Sequence, residues 1–166
     1  MKIRLEHQNI GAAIMQIAEH QNFTAINPLK IQGDPINNGL LINGNIAVLC
    51  KYASKSNAIG EYVFSFKKEH IGTAEKSKKE KHNLFFALVC VEEGEICCLT
   101  GDQLNQLIES RRKSAGVNED QYQVLVTVKK GSSFRVYVNA AGKRMKSTVD
   151  VLTIARNAFP DSIFES

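Results

Sequence analysis

The 166-residue sequence has no tryptophan, three prolines and four cysteines, and its longest apolar run is only Leu84 to Val91. Each shortage excludes something. A run of that length falls far short of the roughly 20 apolar residues that a membrane-spanning helix needs. So few prolines leave no proline-rich linker between domains. Cys50, Cys90, Cys97 and Cys98 form no Cys-x2-Cys pair, and His7, His20, His70 and His82 show no zinc-ligand spacing. Three of the cysteines sit inside apolar, strand-like runs, which marks them as small buried hydrophobes and not a disulfide framework. The start, Met1-Lys2-Ile3-Arg4-Leu5-Glu6-His7, carries no apolar stretch behind its basic residues, so no signal peptide is expected and the protein reads as soluble and cytoplasmic. The glycine signatures of P-loop NTPases, dinucleotide-binding domains and α/β-hydrolases are all missing.

What is present is ordinary for a globular chain: 43% hydrophobic and 23% charged residues. At this length one domain is expected over residues 1–166, and it can bury enough surface to fold without a metal or disulfide staple. Ile10, Ala13, Ile14, Ile17 and Ala18 recur at helical spacing and predict a helix over 9–20. Residues 23–31 read as extended, with Pro28 at an edge or bend, and 33–39 as a loop. Asn43-Gly44 between Leu40–Ile42 and Ile46–Tyr52 predicts a hairpin. Residues 61–67 alternate as a strand, and 70–82 read as a polar helix or loop. Strands follow at 83–91 and 95–99, then a helix over 103–113 capped from Thr100 or Asp102. A second hairpin is expected from 123–128 and 134–138, and a last helix over 149–159, ending at Pro160. The expected fold is mixed α/β, with a central mixed sheet built from hairpins and flanked by helices.

The stretch Asn37–Leu99 resembles the restriction-endonuclease-like, or PD-(D/E)XK, nuclease superfamily. The resemblance rests on a leading helix, the hairpin Asn38–Lys51, the strand Tyr62–Phe66, and the apolar strand Leu84–Val91 followed by a short strand and a helix. It implies a restriction-endonuclease-like core over about 9–113, a hairpin-helix extension over 121–166, and a restriction, defence or mobile-element setting. In that family an Asp opens the first hairpin strand and Glu-x-Lys closes the second. The carboxylates hold Mg²⁺, and the lysine positions and activates the attacking water. Lys51 stands where that lysine would be. Asn38 falls in the place of the Asp and Leu49 in the place of the Glu.

Leucine offers Mg²⁺ no oxygen, so cleavage would need carboxylates from elsewhere. Asp34, ahead of the hairpin, and Glu61, at the start of the next strand, are the candidates to join Lys51 as catalytic residues around a Mg²⁺ ion. The expectation is therefore a nuclease-fold, nucleic-acid-binding protein with impaired or absent catalysis. The alternative is a non-catalytic α/β module that binds a protein partner or a second copy of itself.

Charge is uneven along the chain, although the net value is a mild +4. Residues 1–50 balance, 51–82 carry eight basic groups against four acidic, 83–128 carry three against seven, and 129–166 carry seven against three. Lys129, Lys130, Arg135, Lys143, Arg144 and Lys146 form a run without an intervening acid, the pattern a phosphate backbone would select. Only Phe134 and Tyr137 interrupt it as aromatics, so stacking of single-stranded bases is not expected. The acidic block 83–128 is the surface a protein partner would use under the alternative.

Overall fold

The computed structural model describes residues 1–142 and 148–165. In chain order the elements are α1 (Leu5–Ala18), β1 (Ile26–Ile31), β2 (Asp34–Ile42), β3 (Ile46–Ala53), β4 (Glu61–Lys67), α2 (Lys68–Lys79), β5 (Asn83–Cys90), β6 (Glu95–Thr100), α3 (Gly101–Ala115), β7 (Gln121–Thr127), β8 (Phe134–Asn139), β9 (Thr148–Ile154) and α4 (Asp161–Phe164). The fold is mixed α/β, as expected, but among the described residues its strands form two sheets. One is mixed, in the order β1-β2-β3-β5-β6, and the other is antiparallel, in the order β4-β7-β8-β9.

The first sheet is built from hairpins β1–β2, β2–β3 and β5–β6, with β5 joining β3 in parallel after the chain has passed through β4 and α2. Strand β3 is central and buried on both faces, which explains its unbroken apolar run. Side chains alternate between faces along a strand. Ile46, Val48 and Cys50 pack towards α1, against Ile10, Ala13 and Ile17. Ala47 and Leu49 turn the other way, into the core shared with the second sheet. That core joins Phe86, Leu88 and Leu99 to Tyr62, Phe64, Phe66, Val124, Val136 and Ile154, with Leu104, Leu107 and Ile108 of α3 wedged alongside.

Helices do flank the first sheet, α1 on one face and α2 and α3 on the other, where the second sheet shares the core. Two expectations are corrected. The loop expected over 33–39 belongs to β2. Gln32 and Gly33, both with positive φ, make a tight turn that returns the chain along β1. The helix expected over 149–159 is strand β9, whose Phe134↔Ile154 to Val138↔Val149 pairing with β8 outweighs its helical spacing. Helix starts only at Asp161, after Pro160. Strand β4 pairs along its whole length with β7, so the region 121–166 shares a sheet with a strand from inside the 9–113 stretch.

All four cysteines are free and buried. Burial pushes the Cys50 and Cys90 thiols up to about 12, which leaves them as inert packing groups. No helix among the described residues is long and apolar enough to cross a membrane.

Candidate cleft between the two sheets

An irregularity in β2 creates the site. Between Pro28 and Lys30 the paired residue on β2 jumps from Leu40 to Pro35, so Ile36–Gly39 bulge opposite Leu29. Asn38 takes a left-handed φ of 56°, a conformation asparagine tolerates better than most residues. Gly39 fits closely next to it, because a Cβ there would stand 3.1 Å from the Cβ atoms of both Ile36 and Leu29, which would have to give by a few tenths of an ångström. The β2–β3 ladder ends at Gly39↔Leu49. Beyond that point β2 swings away, and the end of β3 lines a cleft of about 530 Å³. Its walls come from Pro35–Asn38 of β2, Leu49–Tyr52 of β3, Val63–Ser65 of β4 and the first turns of α2.

Lys51 sits at the centre of these elements. It is half-buried, with its ammonium 5.1 Å from the centre of the Phe66 ring. Burial, and secondarily the charge of Lys67, lowers its pKa from the ordinary lysine value. Among the described residues it makes no ion pair. His70 meets the same Phe66 ring edge-on, at 6.5 Å between centroids. Its Nδ1 accepts the Lys67 N–H at 2.9 Å, closing the first turn of α2 and leaving Nε2 as the proton-bearing nitrogen of the neutral ring. Burial, followed by the charge of Lys51, lowers the His70 pKa. Among the described residues Glu69 is the one carboxylate lining the cleft.

The structure therefore brings Asn38, Leu49 and Lys51 into one cleft and leaves the candidate acids outside its lining. Asp34 is exposed and paired with Ile31 beside the β1–β2 turn. Glu61 is occupied: one carboxylate oxygen accepts from Asn57 Nδ2 at 3.0 Å and the other from the Tyr137 hydroxyl. It also stands four residues along β4 from Ser65, about 13 Å at the usual strand rise. Asp34 and Glu61 are thus not among the residues that line the cleft with Lys51.

Mg²⁺ does not fit the donor set of this cleft. A hard divalent cation needs several oxygens with carboxylates among them. Here positions 38 and 49 carry an amide and an isobutyl group, Glu69 alone among the described lining residues brings a carboxylate, and Lys51 itself repels a cation. Among the described residues no group of three His, Cys, Asp or Glu side chains could hold a metal ion.

The basic run divides. Lys129 and Lys130 are exposed at the β7–β8 turn, and Arg135, also exposed, lies with its guanidinium 5.9 Å over the Tyr137 ring. Lys143, Arg144 and Lys146 lie outside the described residues. Three of the seven acids in the acidic block pair with arginines of the chain: Glu119 holds Arg111 at 2.6 Å, Glu109 holds Arg112, and Glu95 holds Arg156. Lys78 is the only lysine with a carboxylate inside 4 Å among the described residues, at 3.9 Å from Asp102. The unpaired cations are thus mostly lysines.

Sequence reasoning missed His70, Lys67 and Glu69 as site residues. The available signal was the placement of Lys67-Lys68-Glu69-His70 between a strand and a helix that returns the chain to a parallel neighbour of β3. No protein-family model, curated protein or solved structure matches the chain.

Proposed function

We propose that this chain is a nucleic-acid-binding protein built like a nuclease but without metal-dependent cleavage. One observation carries the reading. The three positions that would form the catalytic set in the resembling nucleases, Asn38, Leu49 and Lys51, line a single cleft, and of the three only the cation is of the type catalysis would require. A cleft that keeps its lysine and has neutral groups in place of both carboxylates can attract a phosphate. It cannot assemble the divalent ion that would activate water or stabilise a leaving oxygen. The two basic blocks of the sequence, 51–82 and 129–166, and the exposed Lys129, Lys130 and Arg135 of the β7–β8 hairpin support a polyanionic partner.

The test has two arms. Fluorescence anisotropy with labelled duplex and single-stranded oligonucleotides should show binding at about 50 mM salt that falls steeply towards about 200 mM, as counterion release requires. Incubation of the same substrates with Mg²⁺ or Mn²⁺ should leave them intact. Absence of binding at low salt refutes the nucleic-acid reading. Cleavage that disappears in Lys51→Ala refutes the non-cleaving one.

A further inference from the structure

An ammonium taken half out of water without a counter-ion is costly, and proteins usually place a carboxylate beside it. Lys51 has none among the described residues, and Lys67 adds a second positive charge close enough to depress its pKa. The other polar groups lining the cleft include donors. His70 has its acceptor nitrogen engaged by Lys67 N–H and keeps a donor at Nε2. Asn37, Asn38 and Ser65 bring amides and a hydroxyl, each able to donate as well as accept, to the walls, the Ser65 oxygen already accepting from Gln121 Nε2 at 3.2 Å. Against these stands, among the described residues, the single carboxylate of Glu69. The first turn of α2 opens onto the same cleft and adds the positive end of its dipole.

We infer that the cleft binds a phosphate group directly, on Lys51 and His70, with no metal ion between ligand and protein. The inference rests on the nucleic-acid reading for the source of that phosphate, a phosphodiester of the backbone. Its chemistry holds equally for a free phosphate. Lys51 supplies the charge, and Phe66 beneath it fixes the direction from which the ammonium is offered, since the ring occupies one side. His70 supplies a neutral, directional N–H, and Asn37 and Asn38 of the β2 bulge line the same cleft. The cleft is larger than one phosphate, so an attached sugar can enter with it. A metal-bridged phosphate would need acids where Asn38 and Leu49 stand. Direct contact needs only the groups already there.

The experiment is an NMR titration of the whole chain with inorganic phosphate in EDTA, following the backbone amides of Lys67–Ile71, repeated with Mg²⁺ in place of EDTA. The expected result is saturable shifts that are the same in both buffers. They should weaken about tenfold or more in Lys51→Met, the scale of one charge-assisted hydrogen bond, and largely return in Lys51→Arg. His70→Gln, which keeps a donor, should bind better than His70→Leu. The dispersion of each spectrum reports whether the variant is folded. Absence of saturation, unchanged affinity in folded Lys51→Met, or binding that requires Mg²⁺ would each overturn the inference.

A labelled oligonucleotide measured in parallel separates the two readings. If it binds parent and Lys51→Met alike, nucleic-acid binding stands and the cleft assignment falls. If phosphate binds through Lys51 and the oligonucleotide does not bind, the cleft assignment stands for a free phosphate and the nucleic-acid reading falls.

Discussion

The ammonium of Lys51 stands 5.1 Å from the centre of the Phe66 ring, a contact made across the gap between two sheets by residues on β3 and β4. Phe66 is fully buried and stacks edge-on against Phe86 of the first sheet, at 5.6 Å between centroids. The charge is therefore held over the rim of the main core, where water reaches it from one side only. Stability and ligand binding make opposing demands on this lysine, and several measurable consequences follow from the conflict.

Lys51→Met should make the protein more stable. The lost cation–π attraction is about 0.5–1 kcal/mol. Dehydrating an unpaired ammonium costs several kcal/mol when complete, and here it is about half complete. The net expectation is a gain of about 1 kcal/mol at neutral pH, in the range of single stabilising substitutions at functional positions. The sign with pH follows from the lowered pKa. Between that value and the ordinary one near 10.4, the unfolded chain binds more protons, so parent stability rises with pH across the window. Urea unfolding from pH 7 to 10 should show that rise in the parent and lose it in Lys51→Met. A variant less stable than the parent at pH 7 would contradict this account.

His70 should titrate below the usual histidine value of about 6.5, since burial and the Lys51 charge both disfavour its protonated form. Replacing Lys51 by Met removes one of those causes, so the His70 midpoint should move up. The unfolded chain takes up the proton first as pH falls. The His70 contribution is therefore whole above about 6.5 and is lost between there and the lower folded value. Imidazole carbon-bound proton shifts, followed against pH in parent and variant, measure both midpoints. An unmoved midpoint in Lys51→Met would mean that the two groups do not share the cleft.

Thr100 closes α3 by a reciprocal cap, its hydroxyl accepting Gln103 N–H at 3.1 Å while Gln103 Oε1 accepts Thr100 N–H at 2.9 Å. Thr100→Ala should cost about 1 kcal/mol and Thr100→Ser much less. Denaturant midpoints decide it. Equal losses in both variants would show that the methyl group, and not the cap, matters.

This cap was readable in advance because capping is local chemistry, and so were strands such as Ile46–Ala53 and Glu61–Lys67, whose apolar patterns declare buried faces. Pairing between distant strands was not. Val149 and Leu152 lie three apart and read as a helix face until β8 is known to stand beside them. Glu61 looked available as a catalytic acid because its partner, Tyr137, is 76 residues away in sequence. Within the site, Lys51 was visible by its place at the end of a strand. His70 was not, since its arrival beside Lys51 depends on β4 leaving for the second sheet and α2 bringing the chain back. The bulge that opens the cleft was hidden in a segment whose glycine and asparagines read equally well as a loop.

The two neutral positions offer the most demanding test of how the cleft is built. Asn38→Asp with Leu49→Glu would place two carboxylates on its walls beside Lys51, at sites the backbone already tolerates for the first residue and resists for the second. Asn38 keeps its left-handed φ as aspartate, whereas Leu49 is only 5% exposed and shares the core between the sheets. A carboxylate there without a cation should lower stability by about 2–4 kcal/mol in EDTA. Mn²⁺ should return much of that loss. Ligation that favours the folded state contributes about 2.7 kcal/mol when the ion is present at 100 times its dissociation constant. The parent has neither carboxylate, so its melting temperature should not respond to Mn²⁺. Thermal unfolding of parent, single and double variants in EDTA and in Mn²⁺ measures this directly. A double variant indifferent to Mn²⁺ would show that positions 38 and 49 do not face a common point, and the proposed kinship of this cleft with a metal-dependent catalytic site would fail with it.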